Sequence, residues 1–166
     1  MAHIHINLSK IQYNANVLRQ LLATHHIQFT PVIKCIAGDP EIIRALNQLG
    51  FTHFAEARLE NIEKAKEVEA ANTFTLIRAP HLQELKQVVL NTTMSIQTEL
   101  TTIRQLNDVA KSLNLKHPIM LMVDWKNARE GVLTYDIVEY VQEILHLSHI
   151  CLRSIAFNFM CFNEIP

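Results

Sequence analysis

The sequence predicts an α/β protein whose strands and helices alternate along a parallel sheet. Short apolar runs recur along the chain, and each is followed by a helical pattern of roughly ten to fifteen residues, the signature of repeated right-handed crossovers. Helix-start signals such as Asp39 followed by Pro40 punctuate the series. Only three glycines occur in the 166 residues. No GxGxxG or GxxxxGK[ST] follows any strand, so the two common phosphate-loop versions of a doubly wound sheet are excluded. A (β/α) barrel remains the leading architecture.

The elements run in order. HIHIN alternates Ile4 and Ile6 with polar residues and reads as a strand. Ser9 then caps the helix SKIQYNANVLRQLLATHH, whose apolar stripe is Ile11, Val17, Leu18, Leu21 and Leu22. IQFTPVIK is a strand, and PEIIRALNQLG a helix that stops at Gly50. THFAEA, TFTLIR and TTMSIQ are strands followed by the helices RLENIEKAKEVEAA, APHLQELKQVVLN and TELTTIRQLNDVAKSLN. HPIMLMVDW is the fifth strand of the rhythm, TYDIVEYVQEILHLS its helix, and ICLRSIAFNF the sixth strand. A complete barrel takes eight such units and about 250 residues. Residues 1–166 therefore read as the N-terminal part of one barrel domain, with CFNEIP where the loop after strand six begins.

Composition narrows the function classes. Fifteen Lys and Arg against sixteen Asp and Glu give a formal net charge of -1, without the basic stripe that nucleic acid requires. No apolar run is long enough to span a bilayer, and the N-terminus has no secretory cleavage pattern. The three cysteines, Cys35, Cys151 and Cys161, form neither a disulfide framework nor a zinc motif. A soluble, cytoplasmic protein acting on a small molecule is the expectation. The nine histidines are scattered, with no HExxH, and are expected at the surface rather than on a metal.

Barrel enzymes place reacting groups at the C-terminal ends of strands. Here those ends offer Lys34, then Glu56 with Arg58, Arg78, Ser95 with Gln97, Asp124 followed by Arg129 and Glu130, and Asn158. For most of these, helix capping or surface pairing is the simpler role. Lys34 follows Phe29, Val32 and Ile33 at the end of an apolar strand, where loops are expected to hinder its access to water. It is either a stem-buried lysine paired with Glu56 or Asp124, or a desolvated amine able to attack an aldehyde and form a Schiff base.

Four segments together, NLSKIQYNANVLRQLL, PVIK, MVDWKNAREG and a sixth strand ending at Asn158, resemble the N-terminal barrel domain of the alanine-racemase family of pyridoxal-phosphate enzymes. The resemblance covers essentially the whole chain and is closer to the ornithine-racemase-like branch than to alanine racemase. Lys34 is followed by CIAGD rather than a Tyr- and Gly-rich segment. VDWKNAREG keeps Asp124, Arg129 and Gly131 of the DTGMxRxG pattern, and Asn158 stands where a histidine usually faces the cofactor ring.

The resemblance implies a barrel of pyridoxal-phosphate fold type III, about six of whose eight strands are in this chain. It implies an amino-acid racemase in which Lys34 holds pyridoxal phosphate through a Schiff base and acts at the substrate α-carbon. Arg129 would meet the substrate carboxylate or the cofactor's phenolic oxygen, Asn158 would support the ring, and Arg78 would help position the cofactor. The family's second base, a tyrosine from a partner subunit's C-terminal β-domain, implies a homodimer. That domain, strands seven and eight, and the arginine facing the pyridine nitrogen are not in this sequence. A truncated racemase and a chain that completes its barrel by pairing both fit, and unpaired strand edges predict self-association. The alternatives are a non-catalytic pyridoxal-phosphate carrier of the same barrel family, whose post-strand-two segment FAEARLEN resembles in part, and an interaction remnant without ligand.

Overall fold

A short polar residue ends the N-terminal segment: Asn7 caps the first helix by accepting, through its side-chain oxygen, the backbone N–H of Lys10 at 2.9 Å. The cap is thus Asn7 rather than Ser9, and helix α1 runs Leu8–Ala23. The computed structural model of the chain describes residues 4–125 and 128–158. Lys126, Asn127, Phe159 at the end of the expected sixth strand, and the CFNEIP stretch with Cys161 lie outside the described residues. The chain divides into two units, Met1–Phe74 and Thr75–Pro166.

In the first unit, the expected HIHIN strand does not form: residues 4–7 carry no regular structure and Ile4 is exposed. Alternation alone does not make a strand without a partner to complete its hydrogen bonds. The expected strand IQFTPVIK shrinks to a single parallel bridge between Val32 and Ala55. Pro31 has no N–H to give, so the pairing consists of Ile33 N–H to Ala55 O and Ala55 N–H to Pro31 O, both 2.9 Å. The chain then tightens into a 3-10 turn, Lys34–Ile36. Asp39 caps helix α2, Pro40–Asn47, by accepting the N–H groups of Glu41 and Ile42 at 3.0 Å. Strand β1 is His53–Glu56, helix α3 is Leu59–Val68, and strand β2, Thr73–Leu76, neighbours β1 as it begins.

Ile33, Ile42, Ile43, Phe54, Ile62 and Phe74 are buried at the centre of this unit, and the rings of Phe54 and Phe74 stand 6.1 Å apart. Each such side chain contributes roughly 1.5–3 kcal/mol by leaving water. The stripe expected to bury α1 does not: Val17, Leu18 and Leu21 are exposed and only Ala15 is buried.

The second unit takes β2 onward. The expected third helix begins as a 3-10 turn, Leu82–Glu84, before α4, Leu85–Asn91. Strand β3 is Met94–Gln97, α5 Leu100–Ser112, β4 His117–Asp124, α6 Ile137–Leu145 and β6 Ile150–Phe157. A two-residue strand β5, Val132–Leu133, was not expected from the sequence. Pairing is parallel throughout: β2 with β3, β3 with β4, and β4 with both β5 and β6. The register of β4 against β6 shifts between Ile119 and Met120. Helix α5 buries Ile103, Leu106 and Ala110, a spacing that lines up on one face. The fold class is α/β with a parallel sheet, an incomplete (β/α) barrel.

One polar chain is sealed inside this unit. Ser95 Oγ lies 2.9 Å from His117 Nε2 and accepts from Gln97 Nε2 at 2.8 Å, and all three residues are buried. The surface position expected of the histidines therefore fails at His117, whose alternation with Ile119 and Leu121 along β4 turns it inward. Ser95 and Gln97, candidates as strand-end chemistry, form this chain: Ser95 meets the buried ring and Gln97 holds Ser95.

Burial pushes the His117 imidazole down to about 4, from an ordinary value of 6.5. The neutral ring is the form that folding favours. Its contribution is complete above the unfolded value and is lost as pH falls from about 6.5 through about 4, amounting to roughly 3 kcal/mol. Urea unfolding at pH 7.5 and at pH 4 is expected to show this loss, and His117→Gln to shrink it; equal acid sensitivity in the two proteins contradicts the assignment.

Candidate functional site

The lysine stands at the end of the bridged segment of the first unit. Pro31 and Ile33 are buried while Val32 and Lys34 are exposed, so the alternation places Lys34 on the face turned away from the core. The expectation that loops withhold Lys34 from water is corrected: the side chain is exposed in this chain. Glu56 does not pair with it. Its buried carboxylate accepts the N–H groups of Ala57 and Arg58 through Oε1, at 2.6 and 3.1 Å, and so holds the turn into α3. Among the described residues its Oε2 has no hydrogen-bond partner.

The turn after Lys34 is fixed by packing. Ala37 and Gly38 both have left-handed backbone, φ +50° and +76°. A Cβ on Gly38 would lie 3.0 Å from the carbonyl oxygen of Asn61 and 3.2 Å from Lys64 Cβ, so the turn is pressed against α3. An exposed primary amine on a backbone held this firmly can condense with an aldehyde and can give or take a proton.

In the second unit, Arg78 follows β2 and is engaged: both terminal oxygens of Glu84 lie 2.8 and 3.0 Å from its Nη2, and Nη1 donates to Ala79 O at 3.0 Å. Burial pushes the Glu84 carboxyl upward, but the hydrogen bonds from Arg78 and from the His81 N–H outweigh it and hold the group below its ordinary value. Arg129 forms an exposed ion pair with Glu130 at 3.5 Å. Asn158 is half-buried directly after β6. Since Phe157 pairs with Val123, the register brings Asn158 and Asp124 to neighbouring strand ends.

The end of β4 borders a cleft of about 420 Å³ lined by Asp124, Trp125, Ala128, Leu133, Thr134 and Tyr135. Trp125 stands edge-on to Phe157, with ring centroids 6.5 Å apart. Gly131 lets the cleft's loop close. Its φ is +146°, and a Cβ there would run into the Asp124 amide nitrogen and lie 2.7 Å from the carbonyl carbon of Val123. Sequence reasoning missed Trp125 and Tyr135; the only signal was a tryptophan immediately after a strand-end aspartate. Among the described residues, no group of three or more His, Cys, Asp and Glu can hold a metal ion, and no helix is long and apolar enough to cross a membrane.

Gly131→Ala is expected to cost on the order of 2–3 kcal/mol, because left-handed backbone and a backbone clash coincide there. Gly50→Ala also meets left-handed backbone but has open space around it, so denaturant unfolding is expected to show a smaller loss. Equal losses count against the clash.

The family model described as alanine racemase, N-terminal domain, matches residues 6–166. The ornithine racemase of Acetoanaerobium sticklandii is 30% identical over 163 residues, covering 98% of this chain and 46% of that protein. Among solved structures, alanine racemase of Clostridium difficile 630 superposes with a TM-score of 0.80 at 23% identity, over 92% of this chain and 41% of its own. PipY of Synechococcus elongatus PCC7942, solved with PLP bound, gives a TM-score of 0.78 at 19% identity, over 89% of this chain and 70% of its own. The chain spans a little under half the length of the ornithine racemase it matches. With its strand order, its strand-end lysine and its Asp124–Gly131 loop accounted for, the chain belongs to the alanine racemase N-terminal domain family.

Proposed function

We propose that this chain is the lysine-bearing part of a pyridoxal-phosphate-dependent amino-acid racemase. The observation that carries the reading is the position of Lys34, an exposed amine at the end of the bridged segment, in a chain matched almost end to end by the family. The donor chemistry fits the cofactor. The Lys34 amine suits its aldehyde, the guanidinium of Arg129 suits a phenolate or a substrate carboxylate, and the Asn158 carboxamide suits the ring. Arg78, tied to Glu84, acts by fixing the loop after β2 rather than by offering free donors.

When bound, pyridoxal phosphate supplies an electron sink for the carbanion at the substrate α-carbon. Lys34 removes or returns the proton at that carbon from one face. Arg129 orients the substrate through its carboxylate, where a planar fork gives a paired contact. Inversion needs a second acid/base group on the opposite face. The family resemblance puts that group on a partner subunit, which supports a homodimeric assembly. Ornithine, named in the Acetoanaerobium sticklandii relative, is the first substrate to test. The free thiols of Cys35 and Cys151 favour a reducing, cytoplasmic setting.

A second reading is a pyridoxal-phosphate-binding protein without turnover, favoured by the likeness to PipY, 70% of whose chain is covered. One experiment separates the two. Incubation with pyridoxal phosphate, borohydride reduction and peptide mapping are expected to mark Lys34, and Lys34→Ala to abolish the mark. Absence of label on Lys34 sinks both readings. Label without exchange of the α-proton of ornithine, lysine or alanine in deuterated water leaves the binding protein ahead.

Strand β6 pairs only with β4 among the described residues, and its Ile155 and Phe157 are exposed. An open apolar edge recruits further strands. Light scattering is therefore expected to find a dimer or larger species, and a clean monomer at micromolar concentration argues against the edge.

A further inference from the structure

We propose that a second cleft, at the N-terminal end of the first unit's parallel pairing, binds a small aromatic carboxylate, with Arg19 holding the carboxylate and Phe29 and Phe51 the ring. The cleft measures about 290 Å³, and its lining comes from two stretches, 19–30 and 50–53, whose residues are all described. On both strands it lies before the Val32–Ala55 bridge, whereas Lys34 lies after it. The cleft is therefore separate from the lysine end.

Arg19 is an exposed side chain whose guanidinium is nonetheless fixed from three directions. Nη1 donates to Leu49 O and Nη2 to Asn16 Oδ1, each at 2.6 Å, and the group lies 5.0 Å from the centroid of the Phe51 ring. A guanidinium has five N–H donors, so three remain for a ligand. No carboxylate pairs with it among the described residues, and the lining contains no acid. His53 is the other titratable group of the lining. Burial lowers its pKa, and its Nδ1 lies 2.8 Å from the hydroxyl of Thr73, which itself donates to Thr52 O. At pH 7.5 the lining thus carries one charge, and it is positive.

Helices α1 and α2 both end beside this cleft, and the last carbonyls of a helix carry partial negative charge. Without a cation an anion would be repelled there, so Arg19 decides the sign of the site. A planar fork favours a carboxylate, which it can meet with two parallel hydrogen bonds. The walls select what the carboxylate is attached to. Phe29 stands edge-on to Phe51 with ring centroids 5.5 Å apart, an arrangement that a third aromatic ring can extend.

The full chain is titrated at pH 7.5 with 4-fluorobenzoate, followed by fluorine NMR, and with two controls: 4-fluorobenzyl alcohol, which lacks the charge, and acetate, which lacks the ring. Dissociation constants for both controls at least tenfold above that of 4-fluorobenzoate are expected. Arg19→Met is expected to weaken 4-fluorobenzoate at least tenfold, and Arg19→Lys, which keeps the charge and the fold but loses the fork, at least threefold. Lys34→Ala is expected to bind it like the parent. The site is overturned by no binding to the parent chain, by either control binding as tightly, by either Arg19 variant binding like the parent, or by loss of binding in Lys34→Ala. Failure of the racemase reading shows separately, as missing pyridoxal-phosphate label on Lys34 with these titrations intact.

Discussion

Two backbone hydrogen bonds to a single residue, Ala55, hold Pro31–Ile33, and the placement of Lys34 depends on them. The pairing sets which side chains face the core: Pro31 and Ile33 are buried, and Val32 and Lys34 take the opposite face. Because only one bridge forms, the segment has little rigidity of its own. The firmness comes from the residues just beyond it, the left-handed pair Ala37 and Gly38 pressed on α3 and the Asp39 cap that starts α2. A non-glycine residue in left-handed backbone costs on the order of 1–3 kcal/mol and persists only where surrounding structure over-determines it. Here the packed Gly38 and the Asp39 cap that directly follow Ala37 do so.

Glu56 is held by equally local means. A buried carboxylate is costly unless hydrogen-bonded, and this one directs Oε1 to the two N–H groups that open the turn into α3. It shares the buried face of β1 with Phe54, whereas Ala55 pairs across to exposed Val32. Glu56 and Lys34 are thus carried on opposite faces of the same pairing. The acid works on the backbone and the amine is left exposed.

Much of the fold was legible because apolar runs, caps and helical spacing agreed with one another: Asp39 and Pro40 start α2, and β3, β4 and β6 lie where the runs placed them. The misses have separate physical causes. Asn7 and Ser9 are both good caps, and only the backbone decides between them. HIHIN has the right alternation but no strand partner among the described residues. β5 is two residues long, below any periodicity. His117 was missed because a lone histidine carries no burial signal of its own; its burial follows from the inward register of β4 and from two polar neighbours three-dimensionally close but twenty or more residues away. At the candidate site, the lysine was legible as a charge ending an apolar run, but its exposure was not, because exposure depends on which neighbours cover the strand.

The Asp124–Gly131 loop shows why a spacing pattern can be stricter than the contacts it contains. The ion pair between Arg129 and Glu130 is long and exposed on both sides, and such pairs contribute about 0–1 kcal/mol. It does not place Arg129. Placement comes from Gly131, whose missing Cβ lets the chain return onto the backbone of Val123 and Asp124 and then pair as β5 with those same residues. The loop is therefore closed by main chain at both ends, and its described residues inherit their positions from that closure. Asp124 and Trp125 leave β4 on one side of the cleft, Leu133 to Tyr135 return on the other, and Arg129 is carried beside it whether or not its carboxylate partner is present. A substitution at Arg129 should thus change what the cleft attracts without changing its shape, while one at Gly131 changes the shape first and the chemistry only as a result.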